Sequence, residues 1–96
     1  MADVERVIEL VRATFPDVIW SQLQVKYPAD DDGLWLFHRP GQRPGRGQIE
    51  SSNGMCPFLI EGDTTTERFN GGSPEDTARI VLDLLGEAAG GPSDVP

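Results

Sequence analysis

Three arginines crowd one short stretch of this 96-residue chain: Arg39-Pro40-Gly41-Gln42-Arg43-Pro44-Gly45-Arg46-Gly47. Guanidinium forks suit phosphate or carboxylate, and the glycines let a ligand come close to the backbone. No acid occurs from Gly33 to Ile49, so this stretch carries +3 and the other residues −11 within a net charge of −8. Arg39, Arg43 and Arg46 therefore form a candidate anion-binding loop. Their spacing is not that of a phosphate loop, because no Gly-Lys-Ser/Thr follows. A mobile, soluble hairpin loop is the plainer expectation.

Other residues offer less. Cys56 is a nucleophile only beside a base, and the sole histidine, His38, is expected two strands away near the other end of the sheet. A small buried thiol and a strand-end histidine are the simpler readings. Asp30-Asp31-Asp32 could attract a hard cation, but it lacks alternating ligands and precedes Gly33 as a turn does. Glu50 and Glu61 are carboxylates on neighbouring strands without a cleft. Ser51 and Ser52 lack the Gly-x-Ser-x-Gly setting of a nucleophile elbow. No cofactor, metal or catalytic set is expected from these residues, and catalysis is disfavoured.

Charge narrows the partners. Sixteen Asp and Glu against eight Lys and Arg argue against nucleic acid, whose affinity comes from neutralised phosphates, and against an anionic membrane. No apolar run approaches the roughly 18 residues of a membrane span, and the start Met1-Ala2-Asp3-Val4-Glu5 lacks a basic leader. One cysteine allows no internal disulfide. The expectation is a cytoplasmic protein with one domain over residues 1–89 and a disordered tail over 90–96.

The elements that must position these residues follow from periodicity. Val4, Val7, Ile8 and Val11 recur at spacings of three and four, predicting a helix from Asp3 to Thr14 with Asp3 as its cap and Pro16 beyond its end. Ser73-Pro74-Glu75-Asp76 opens a second helix, with Ala78, Val81, Leu82 and Leu85 as its apolar stripe. Between them, four strands are predicted: one around Leu23, Val25 and Tyr27, then Leu34 to His38, Gln48 to Ser52 and Met55 to Glu61. Glu67-Arg68-Phe69 could add a short edge strand. Asn53-Gly54 reads as a two-residue type I′ turn. The fold class is α+β, a two-layer sandwich of order α-β-β-β-β-α, with a four-stranded antiparallel meander and both helices on one face.

Registers then sort side chains between faces. Pairing Ser52 with Met55, Ile49 with Phe58, Leu36 with Ile49, Val25 with Leu36 and Tyr27 with Leu34 puts Leu23, Val25, Tyr27, Leu34, Leu36, Ile49, Cys56, Phe58 and Ile60 under the helices. Trp35, Phe37 and Leu59 then lie on the open face among Gln24, Gln48 and Glu50. Aromatic anchors in a polar rim are interface anatomy.

The expected function is a small, acidic, non-catalytic protein-interaction module that binds through this open sheet face. The occupant is a second copy, making a homodimer, or a partner masked by charge complementarity, as immunity proteins, antitoxins and secretion chaperones mask theirs. The alternative is an anionic-ligand binder or enzyme that uses the loop from Arg39 to Arg46 with Cys56 or His38.

Overall fold

The structure, a computed structural model, describes residues 2–23, 32–52 and 54–86, with backbone only at 23, 32 and 52. Its elements are α1 (Asp3–Thr14), β1 (Ile19–Leu23), β2 (Asp32–His38), β3 (Gly47–Ser52), β4 (Phe58–Gly62), β5 (Arg68–Gly71) and α2 (Pro74–Gly86). The class is α+β. The strands form one antiparallel sheet in chain order, and among the described residues there are five of them rather than four. The fifth grows from the Glu67-Arg68-Phe69 segment and pairs along β4 as Glu61↔Arg68 and Ile60↔Phe69. The predicted tail at 90–96 lies outside the described residues.

Both helices sit where their apolar spacing put them. Val4, Val7 and Val11 of α1 are buried. Glu5 Oε1 accepts the Ala2 N–H at 2.9 Å, so the helix start is closed from within rather than by Asp3. Asp3 serves another element: its Oδ2 accepts the Cys56 N–H at 2.8 Å. The Val4 N–H in turn donates to the Gly54 carbonyl at 2.8 Å. A first-turn N–H without an intrahelical acceptor and a side-chain carboxylate at the helix start thus tie down the connection between β3 and β4. At the other helix, Ser73 Oγ accepts the Asp76 N–H at 3.1 Å, with Pro74 in the first helical position.

The strand registers differ from expectation, and one difference inverts the sheet. Trp35, not Leu36, lies opposite Ile49, and Leu36 pairs with Gln48. Because side chains alternate, this one-residue shift sends Trp35 and Phe37 to the side of Ile49 and puts Leu34 and Leu36 on the other. Trp35 is 6% exposed and Phe37 is fully buried. The reason is packing: Leu34-Trp35-Leu36-Phe37 is apolar at every position and has no preferred side of its own. The larger aromatic pair fills more of the core.

The β3–β4 pairing shifts by two residues, to Ile49↔Ile60 and Glu50↔Leu59, so its sidedness survives. Strand β3 ends at Ser52 and β4 begins at Phe58, so Asn53-Gly54 does not close a two-residue turn. Asn53 itself lies outside the described residues. Gly54 has φ +70 and sits where a Cβ would come within 2.9 Å of Val4 Cγ1 and 3.5 Å of the Trp35 ring. Glycine there meets two needs at once, a left-handed backbone and close approach to α1. On the first hairpin Leu36 faces Ser21 and Leu34 faces Leu23. Val25 and Tyr27, expected in those places, lie outside the described residues.

One buried cluster joins Val4, Val7 and Val11 of α1 and Ala78, Val81, Leu84 and Leu85 of α2 to Trp35, Phe37, Ile49, Phe58 and Ile60. The strand members all share one face. Helix α2 lies against β2, β3, β4 and β5, and α1 lies against α2. Close approach is permitted at Gly71, where a Cβ would collide with the side chain of the fully buried Thr77.

Truncating Phe37 to alanine should cost about 3–5 kcal/mol by chemical denaturation, as for large-to-small core changes. Leu36→Ala, at a half-buried position, should cost roughly 1–2 kcal/mol. The reverse order would contradict this register.

Candidate functional site

The sheet face opposite the buried cluster carries Ile19 and Ser21 from β1, Leu34, Leu36 and His38 from β2, Gln48 and Glu50 from β3, Leu59 and Glu61 from β4, and Arg68 and Asn70 from β5. Two rows cross it. One runs Leu34–Glu50–Leu59–Asn70 and the other Ser21–Leu36–Gln48–Glu61–Arg68. The β1–β2 half is therefore mainly apolar and the β3–β5 half mainly polar. Ile19 is 48% exposed, and Leu34, Leu36 and Leu59 are half-buried. Glu61 and Arg68, directly opposite each other, form an ion pair at 2.8 Å. Beside them a polar depression of about 300 Å³ opens between Gln48, Thr65, Thr66 and Glu67.

Of the residues expected on an interaction face, Leu59, Gln48 and Glu50 do lie on this second face. Trp35 and Phe37 do not; they belong to the core, for the packing reason given above. Gln24 lies outside the described residues. The apolar component is supplied instead by Ile19, Leu34 and Leu36. Only the register of β2 could have revealed Leu34 and Leu36, whereas Ile19 went unseen because the first strand starts earlier than its alternation suggested.

The three arginines do not converge. The stretch that holds them is two successive turns, closed by Gln42 N–H to Arg39 O at 2.9 Å and by Arg46 N–H to Arg43 O at 3.0 Å. Arg46 is buried, and its Nε donates to the Leu84 carbonyl at 3.1 Å. Gln42 Nε2 donates to the Leu85 carbonyl at 2.9 Å. Together they hold the C-terminal turn of α2, whose carbonyls at Leu84 and Leu85 have no intrahelical partner among the described residues and where the helix dipole favours positive charge. Asp63 Oδ1 lies 3.9 Å from Arg46 Nη1. Arg39 stacks over Phe15, 4.2 Å from its ring centroid, with its Nε 3.6 Å from Asp17 Oδ1. Arg43 is exposed. An anion clamp of all three is thus replaced by a helix-end lock and a surface cation–π contact. Neither partner is local in sequence, so no spacing pattern could announce it.

The remaining chemistry-bearing residues are also kept apart. Cys56 lies in the β3–β4 connection beside Asp3, whereas His38 is at the opposite end of the sheet on the second face. Burial, with help from the neighbouring Asp3 carboxylate, pushes the Cys56 thiol up to about 11, so it is protonated at neutral pH. Ser51 Oγ–H donates to the Met55 carbonyl at 2.7 Å, a structural contact. Asp30 and Asp31 lie outside the described residues. Among the described residues no group of three or more His, Cys, Asp and Glu is arranged to hold a metal. No helix among them is long and apolar enough to cross a membrane.

Two outcomes follow. Arg46→Met, which removes the donor to Leu84, should cost about 1–3 kcal/mol in a denaturation experiment; an unchanged midpoint would mean the lock is idle. Native Cys56 should react with iodoacetamide at pH 8 roughly two orders of magnitude more slowly than a free thiol, and faster as pH rises toward 11. Equal rates in the native and the unfolded protein would show an accessible, ordinary cysteine. No protein-family model, no curated protein and no solved structure matches this chain.

Proposed function

We propose that this protein is a non-catalytic interaction module that binds a partner protein through the second sheet face. In this reading both helices form one layer over the face of Trp35 and Phe37, leaving the other face open. The observation that carries it is the sorting of apolar residues. The buried cluster takes one side of every strand from β2 to β4, yet Ile19, Leu34, Leu36 and Leu59 occupy the other side. Burying that patch against a partner gains solvent-transfer free energy that a monomer forgoes.

Charge supports a partner with a basic rim. The polar half of the face holds Glu50 and Glu61, and the whole chain carries −8. Such a field steers a cationic protein toward the patch and disfavours nucleic acid. A lone, half-buried free cysteine suits a reducing, cytoplasmic setting. An enzyme built on Cys56 or His38 has no support from their positions at opposite ends of the sheet.

Leu59→Lys tests the reading, since it places a charge within the patch at a half-buried position. Proteins captured from the native cell by the wild-type chain should be lost from the variant, while its thermal midpoint stays close to wild type. Capture of the same proteins by both would count against the second face.

A further inference from the structure

The two edges of the sheet are guarded unequally. An edge strand offers a row of unpaired N–H and C=O groups, normally protected by charge, proline, a bulge or short length. Strand β5 has four residues and begins with Arg68. Strand β1 reads Ile19-Trp20-Ser21-Gln22-Leu23, with no charge and no proline. Trp20 pairs with Phe37 and so shares the cluster face, yet it is 41% exposed where Phe37 is fully buried. The cause is coverage: among the described residues α2 reaches β2 through β5 but not β1. With Ile19 48% exposed on the other face, β1 carries one large apolar residue outward on each side of an edge that no other described strand pairs.

Charge decides what fits there. A chain of −8 repels its own kind over most of its surface. Residues 18–29 contain no acid, nor do residues 33–49, so the half of the sheet built from β1 and β2 holds no acid beyond Asp32 at the start of β2. Glu50, Glu61 and Glu67 all lie at or beyond β3. A cationic partner is drawn to that acidic half, whereas two copies meeting at β1 keep those three acids apart; Asp17, two residues before the strand, is offset by Arg39, whose Nε lies 3.6 Å from its Oδ1.

We infer that β1 pairs antiparallel with β1 of a second copy about a two-fold axis through Ser21, joining two sheets into one of ten strands. A two-fold antiparallel seam is self-complementary by construction. In this register Ser21 faces Ser21 of the second copy and Trp20 faces Gln22 of the second copy. The two Trp20 residues become diagonal neighbours, about 7–8 Å apart and within reach of one another's rings. The seam is separate from the second-face patch, so a partner and a second copy can be held together. Five residues a side fall well short of the roughly 800 Å² per partner of a standard interface. The dimer should therefore be reversible, with a Kd in the micromolar range.

Sedimentation of the full chain tests this over roughly 10–500 μM, a span that brackets a micromolar Kd. The mean mass should rise from 10.5 kDa toward twice that value. Ser21 is exposed, so Ser21→Lys and Ser21→Glu should keep the wild-type circular dichroism. Each should weaken self-association about fivefold or more, since like charges then meet across the axis. Mixing the two variants should restore association as a mixed pair. Leu59→Lys should dimerise as wild type does, which separates this seam from the second face. A wild-type monomer at the highest concentration would overturn the inference. So would a dimer insensitive to both Ser21 variants, a mixture that fails to associate, or a dimer broken by Leu59→Lys.

Discussion

The indole of Trp35 lies opposite Ile49, against the Gly54 backbone and beside Val4 of α1, and the sidedness of the sheet depends on that seat. Alternation along a strand leaves no intermediate: once Trp35 turns into the buried cluster, Phe37 goes with it and Leu34 and Leu36 turn away. The glycine with positive φ, the carbonyl given to the start of α1 and the Asp3 carboxylate that holds Cys56 all surround this point. A small domain has a narrow stability margin. Placing the two bulkiest residues of β2 in one cluster is how this one fills its interior.

That choice shapes what the surface can do. With the aromatics withdrawn, the second face is aliphatic where it is apolar, and its polar half is braced by the Glu61–Arg68 pair. The arginine-rich stretch, the most obvious chemical feature of the chain, is absorbed by architecture: Arg46 and Gln42 close a helix, and Arg39 lies over an aromatic ring. Arg39, Arg46 and Cys56 are each engaged in structural contacts, and His38 lies at the other end of the sheet from Cys56.

Much of this architecture was legible from local pattern. The bounds of α1 follow from periodicity and the start of α2 from its capping residues, because helix signals are contained within a few turns; the expected cap of α1, Asp3, instead holds Cys56. Strand existence was legible too, including the hint of β5 at Arg68 and Phe69. Register was not. Leu34 to Phe37 are all apolar, so a period of two leaves no imprint, and the choice between Trp35 and Leu36 rests on helices distant in sequence. Asn53-Gly54 suggests a tight turn, but the Cys56 N–H given to Asp3 and the Val4 N–H given to Gly54 favour a longer connection that docks on α1. Gln48 and Glu50 flank the buried Ile49, so alternation alone puts them on the second face, and Leu59 keeps its side because the β3–β4 pairing shifts by two residues. The roles of Arg46 and Gln42 depend on partners about forty residues away and left no local trace.

The lock on the last turn of α2 has a kinetic meaning as well. Helix ends ordinarily fray one residue at a time, independently of the rest of a protein. Here the final carbonyls are held by side chains from the middle of the chain, so loosening that end requires the turns between β2 and β3 to let go as well. The terminal turn should share the hydrogen-exchange behaviour of the hairpin rather than that of a free end. Two hydrogen bonds thus couple the end of one helix to a hairpin some forty residues away in sequence.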